Sequence, residues 1–142
     1  MITSSANETM DFAYELAKKI KAPKIIVLSG DLGAGKTTFT KGFAKGLGIN
    51  EIITSPTFTL LNEYEGKEKM YHFDMYRLSS KEEAYELGFE DYFNKNDGIV
   101  LVEWAENVKG LFSPPYTKIT LNKISNTKRE IKVEEIVWIF YV

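Results

Sequence analysis

The chain has 142 residues, enough for one domain with a sizeable core, and its formal net charge is −2. No block of like charge stands out, so composition gives no support to an autonomous nucleic-acid binder, which needs a basic face. Cysteine is absent, which excludes disulfides and thiolate metal sites. The start, MITSSANETMDF, lacks the basic region and apolar core of a signal peptide, and no apolar run reaches membrane-spanning length. A cytoplasmic protein with no membrane association is expected.

Ser5 and Glu8 have capping-box spacing, and Phe12, Ala13, Leu16, Ala17 and Ile20 share one face, predicting a helix over about 7–21. Ala22-Pro23 ends it. Ile25 to Leu28 form an unbroken apolar run, the pattern of a strand covered on both faces. Gly30-Asp31-Leu32-Gly33-Ala34-Gly35-Lys36-Thr37 then matches G-x-x-x-x-G-K-[ST] in full. Phe39, Phe43, Ala44 and Leu47 recur at helical spacing, and Gly46 and Gly48 can end that helix. The motif thus lies between a strand and a helix, the context that gives it meaning. Glycines let the backbone curl its N–H groups around an anion, with the helix dipole behind them. Lys36 is expected to reach the β- and γ-phosphates of a nucleotide, and the Thr37 hydroxyl to bind Mg²⁺.

Gly48 to Pro56 reads as a connector and Thr57 to Tyr64 as a strand. Thr54, Ser55 and Thr57 are candidate sensors of the γ-phosphate, or else plain turn hydroxyls. Lys69 to Met75 alternates and predicts a hairpin partner, with Met70, His72 and Asp74 on one face. His72, the only histidine, reads as a satisfied half-buried residue and not a general base. Ser80 and Glu83 form another capping box before a short helix that Gly88 breaks, and Phe89 to Phe93 offer a further turn. Ile99 to Val102 is the second doubly buried run, expected parallel to the first. It ends in Glu103-Trp104. A short helix over 105–111 follows. Lys118 to Ile124 is predicted to point Ile119, Leu121 and Ile124 inward, and Glu130 to Glu134 to return as a second hairpin. The last stretch, Ile136 to Val142, is apolar nearly throughout and is expected in the core or in a chain–chain contact.

Two acids fall at strand ends, where ligands of parallel sheets bind. Glu103 is the candidate for the metal site, with capping of the next helix as its bland alternative. Asp74 is the candidate that positions the attacking water, or else a turn cap paired with Arg77. Trp104 either packs over the site, faces a partner or belongs to the core. Asn94-Lys95-Asn96-Asp97 matches the guanine-reading tetrad but precedes a buried strand instead of following one, so adenine is favoured. Only two arginines, Arg77 and Arg129, are present, too few for the phosphate clamp of a small-molecule kinase, so hydrolysis is favoured over transfer.

The ordered set GDLGAGKTTFTKGFAKGLGI, SPTFTLLNEY, YHFDMYR, ELGFEDYF and VLVEWAENV resembles the TsaE (YjeE) family over about residues 3–133. The resemblance implies a small ATPase of bacterial tRNA threonylcarbamoyladenosine synthesis, slow alone and stimulated by partners. It implies that Gly33 to Thr38 wrap the phosphates, that Thr37 and Glu103 contact Mg²⁺, and that Asp74 supports hydrolysis. Thr3 to Ser5, with Ser4 at the centre, matches a segment near the nucleotide, and Arg129 is expected to approach it. TsaB and TsaD are the implied partners, with tRNA met only through their complex and the transfer itself performed elsewhere. Residues 135–142 depart from the pattern. The expected architecture is a single α/β P-loop domain over 1–142, a mixed sheet with a parallel core flanked by helices and carrying two hairpins. A nucleotide-dependent binding module with incidental hydrolysis is the alternative from another class.

Overall fold

The structure, a computed structural model that describes residues 1–138, begins with an element that no periodicity announces: a two-residue strand, β1 (Ile2–Thr3). Helix α1 (Ala6–Lys18) starts where its capping box puts it, with the Ser5 side chain accepting the Glu8 N–H. Then come β2 (Lys24–Ser29), α2 (Lys36–Gly46), β3 (Leu61–Tyr64), β4 (Met70–Asp74), α3 (Lys81–Glu86), α4 (Glu90–Asn94), β5 (Ile99–Glu103), a 3₁₀ turn over Ala105–Val108, β6 (Tyr116–Lys123) and β7 (Arg129–Ile136).

All seven strands form one sheet, in the order β1-β7-β6-β2-β5-β4-β3. The inner pairs β6–β2, β2–β5 and β5–β4 are parallel; the outer pairs β1–β7, β7–β6 and β4–β3 are antiparallel. Both expected hairpins are present, and β6 also joins β2 directly, which completes a four-stranded parallel centre.

One core lies between the sheet and α1 and α2. There Ala13, Ala17, Phe39 and Phe43 pack against Ile26, Leu28, Leu101 and Ile119. The other face holds Tyr71, Phe73, Val100 and Val102 against Phe89 and Phe93 of the α4 region. Apolar burial at such positions contributes about 1.5–3 kcal/mol per large side chain. α1 and α2 approach closely at Gly42, where any Cβ would collide with the backbone carbonyl of Met10.

Two expectations need correction, and two more are sharpened. The strand foreseen over 57–64 exists only from Leu61, because Leu60 takes φ 68 and its N–H bonds to Pro56, folding the preceding residues into a turn. Ile124 is 52 % exposed; it starts the hairpin turn, its N–H bonded to Lys128, and the inward series is instead Thr117, Ile119 and Leu121. The β4 alternation holds, with Met70 in the core beneath α1 and α2 and Tyr71 and Phe73 in the other, and all five of its residues are buried. Val137 and Trp138 are exposed and so not core; residues 139–142 of the apolar tail lie outside the described residues. No helix among the described residues is long and apolar enough to cross a membrane.

Candidate functional site

Three parallel strands bring their carboxyl ends to one edge of the sheet. β2 ends at Ser29 and runs into the glycine loop. β5 ends at Glu103, opposite Leu28, and β4 ends at Asp74, opposite Glu103. Register alone therefore sets the two candidate acids side by side, next to the loop.

Gly35 adopts φ 101 at the N-cap of α2, a left-handed backbone that a Cβ would strain, and no side chain caps the helix. The first-turn N–H groups and the positive dipole end are left to meet an anion. Lys36 is 9 % exposed. Its Nζ lies 3.8 Å from Glu103 Oε1 and 4.6 Å from the centre of the Trp104 ring. A buried ammonium is costly without such compensation. Trp104 reaches this position from a left-handed backbone, φ 59 and ψ 39, a strain of about 1–3 kcal/mol for a non-glycine residue. Of its roles open in the sequence, two are found together: the ring packs over Lys36 and, half-buried, against the second core, with Tyr76 at 5.0 Å.

Glu103 is nearly buried, and its second oxygen, Oε2, lies 2.7 Å from His72 Nε2. His72 is a correction: it is 2 % exposed, and its Nδ1 has no partner among the described residues. The reason is the full cover of β4. Asp74 accepts the Tyr76 N–H at 2.9 Å on Oδ1 and the Thr57 hydroxyl at 3.2 Å on Oδ2. It does cap a turn, yet Arg77 is not the partner, since that guanidinium packs over Phe58 at 5.6 Å. Ser55 and Thr57 hydroxyls lie 2.7 Å apart, tying the connector to Asp74. Thr54 turns elsewhere, its N–H donating to the Tyr64 hydroxyl.

Arg129 comes from the start of β7 and bonds four backbone carbonyls. Nε donates to Ala34 at 2.9 Å, one terminal nitrogen to Gly33 at 3.2 Å, and the other to Ser125 at 2.7 Å and Lys128 at 3.0 Å. The guanidinium thus takes up the carbonyls of Gly33 and Ala34, while the Ala34 N–H is bonded to the Asp31 carbonyl.

A cleft of about 370 Å³ is lined by Gly33, Gly35 to Thr38, Ser55, Thr57, Asp74, Glu103, Trp104 and Arg129, with Leu32 at its edge. A pocket of about 70 Å³ shares Gly35, Thr38 and Arg129 with it and adds Ser5, Thr9 and Asn126. Among the other candidates, Ala34 is buried with its carbonyl on Arg129, and Asp31 is exposed, its carbonyl accepting the Ala34 N–H at 3.0 Å. Ser4 is exposed and lines neither space, whereas its neighbour Ser5 does. The Asn94–Asp97 loop precedes β5 and so lies at the opposite edge of the sheet. There Asp97 accepts the Tyr71 hydroxyl at 3.0 Å, and burial, then that carboxylate, raises the phenol above its usual pKa.

Sequence reading missed the His72–Glu103 contact. Aligning MYHFD with IVLVE by their ends would have exposed it, because that register sets His72 diagonal to Glu103.

These features define a class first: an α/β protein with a mixed sheet, whose glycine-rich turn into a helix sits beside two strand-end acids. The family model described as threonylcarbamoyl adenosine biosynthesis protein TsaE matches residues 3–131. The TsaE protein of Rickettsia prowazekii is 46 % identical over 128 residues, covering 89 % of this chain and 88 % of that one. Its Bacillus subtilis counterpart is 42 % identical over 130 residues, 91 % of this chain and 80 % of the other. The crystal structure of Bacillus subtilis YdiB superposes with a TM-score of 0.79 at 39 % identity, covering 92 % of this chain and 80 % of that one. The chain belongs to the TsaE family, whose proteins serve tRNA threonylcarbamoyladenosine biosynthesis.

Proposed function

We propose that residues 1–142 form a single cytoplasmic P-loop domain that binds and hydrolyses ATP with Mg²⁺, acting with TsaB and TsaD in tRNA threonylcarbamoyladenosine modification. The observation that carries this reading is the convergence of Lys36, Thr37, Thr57, Asp74 and Glu103 on one cleft. In it the loop N–H groups and Lys36 bind the β- and γ-phosphates. Lys36 is poised for this because Glu103 and Trp104 offset its charge without bonding it closely. Thr37 and Glu103 offer only oxygen donors, a set that fits a hard divalent cation. Among the described residues no three acidic or histidine groups converge, so the nucleotide phosphates and water would complete the shell. Mg²⁺ held there would supply neutralisation of the phosphate charge.

Asp74 orients the attacking water. Its link to Thr57 makes the connector and the acid one unit, through which the γ-phosphate end is sensed. Gly33, Ala34, Asp31 and Thr38 shape the phosphate loop, with Arg129 as its brace and Ser4 in the flanking segment. The protein does not transfer the threonylcarbamoyl group and meets tRNA only through TsaB and TsaD. Near-neutral charge favours docking on proteins over docking on RNA.

The test is ATP turnover with and without the TsaB–TsaD complex, for the wild type, Asp74→Ala and Glu103→Ala. Turnover is expected to be low alone and raised by the complex. Asp74→Ala should keep ATP binding while losing both turnover and tRNA modification. Normal modification by that variant would overturn the hydrolytic role and leave a nucleotide-dependent binding module.

A further inference from the structure

We propose that His72 is a positioning residue that fixes the Glu103 carboxylate in the cleft; this deepens the nucleotide-site reading and rests on it. His72 lies on the face of β4 that carries Met70 and Asp74, and Met70 belongs to the core beneath α1 and α2. In register His72 meets Leu101, so Glu103 is its diagonal neighbour two residues further along β5, on the same face. The bond of 2.7 Å to Oε2 is short, as hydrogen bonds to ionised groups are. A carboxylate only accepts, so Nε2 carries the hydrogen. Nδ1, buried and unpartnered among the described residues, is the cost of placing an imidazole here. A purely structural position in this strand would be filled at no such cost by a phenylalanine or leucine. The ring's gain is the bond to Glu103.

That bond divides the carboxylate. Oε2 belongs to His72, while Oε1 stands 3.8 Å from Lys36 Nζ, beyond hydrogen-bond distance. Lys36 is thereby kept near its counter-charge but unbound, its N–H donors available to phosphate. Without the imidazole donor, Glu103 is free to turn onto Lys36. The two would then close from their 3.8 Å ion pair to hydrogen-bond contact, withdrawing the lysine from phosphate and the acid from the cation. Outer partners of this kind hold ligating groups in orientation, and their loss typically weakens metal binding 10–100-fold.

Two measurements test the assignment. In the protein free of metal and nucleotide, imidazole ¹⁵N spectra of His72 should show a protonated Nε2; a bare Nε2 with the proton on Nδ1 overturns it. Mg²⁺ titrated into the protein with saturating ADP should then half-saturate at about 10-fold higher concentration in His72→Phe than in wild type. His72→Gln, whose amide nitrogen can stand in for Nε2, should restore most of the affinity. A Phe variant with the wild-type midpoint, or a Gln variant as impaired as Phe, refutes the role. If Phe does not fold, the Gln variant and the spectrum decide. A wild type whose ADP binding ignores Mg²⁺ would instead defeat the nucleotide-site reading, and the spectrum would still report on the hold over Glu103.

Discussion

The two halves of the sheet are built from different chemistry. At the centre, β4 and β5 are buried along their whole length, and their polar side chains are Tyr71, His72 and the strand-end acids Asp74 and Glu103. In the β6–β7 hairpin, charge runs throughout, and Ile131 is the one buried residue of β7. The centre holds the candidate acids, fixed by packing on both faces. The hairpin reaches the site through Arg129, which grips loop carbonyls. Geometry that must hold to a fraction of an ångström sits where the chain can least move, and the polar edge serves as a brace.

Breaking the centre should cost most. Phe73 stacks among Phe89, Tyr92 and Phe93, so Phe73→Ala is expected to lose about 3–5 kcal/mol of stability, read from the denaturant midpoint. A loss under about 1 kcal/mol would mean that this half is not the rigid one. Lys36→Ala, at the same edge, should reduce ATP turnover by about 10²–10³-fold while the protein stays folded. Unchanged turnover would remove the site from the loop. On the hairpin side effects shrink. Arg129→Lys keeps the charge but not the fork that bridges Gly33, Ala34, Ser125 and Lys128, and ATP affinity should fall about 10-fold. An affinity equal to wild type would show that the loop needs no brace. Val133→Thr, on the 41 % exposed part of β7, should change stability by less than about 0.5 kcal/mol. A larger loss there would erase the contrast between the halves.

Legibility in the sequence follows the same division. Continuous apolar runs revealed β2 and β5, and the motif between β2 and α2 revealed the loop, because each signal is local. Capping boxes at Ser5 and Ser80 located α1 and α3 for the same reason. What stayed hidden depends on partners remote in the chain. β1 is two residues long and exists only through Arg129 and Glu130. The parallel seam of β6 on β2 leaves no mark on either strand's periodicity. Thr57 to Leu60 carry β-forming residues, yet the bond of Thr57 to Asp74 and the left-handed Leu60 bend them into a turn. His72 looked ordinary because its partner lies on another strand. The Arg129 side chain lines the cleft, and its bonds to the Gly33 and Ala34 carbonyls were not legible because they join residues far apart in the chain.

The most direct measurement is a crystal structure of the protein with Mg²⁺ and a non-hydrolysable ATP analogue. The triphosphate should lie along Gly33 to Thr38 with Lys36 on its terminal phosphates, the cation between Thr37 and Glu103, and Asp74 facing the γ-phosphate. A nucleotide bound elsewhere, or a cation shell that includes neither Thr37 nor Glu103, would contradict the assignment of this edge of the sheet as the active site.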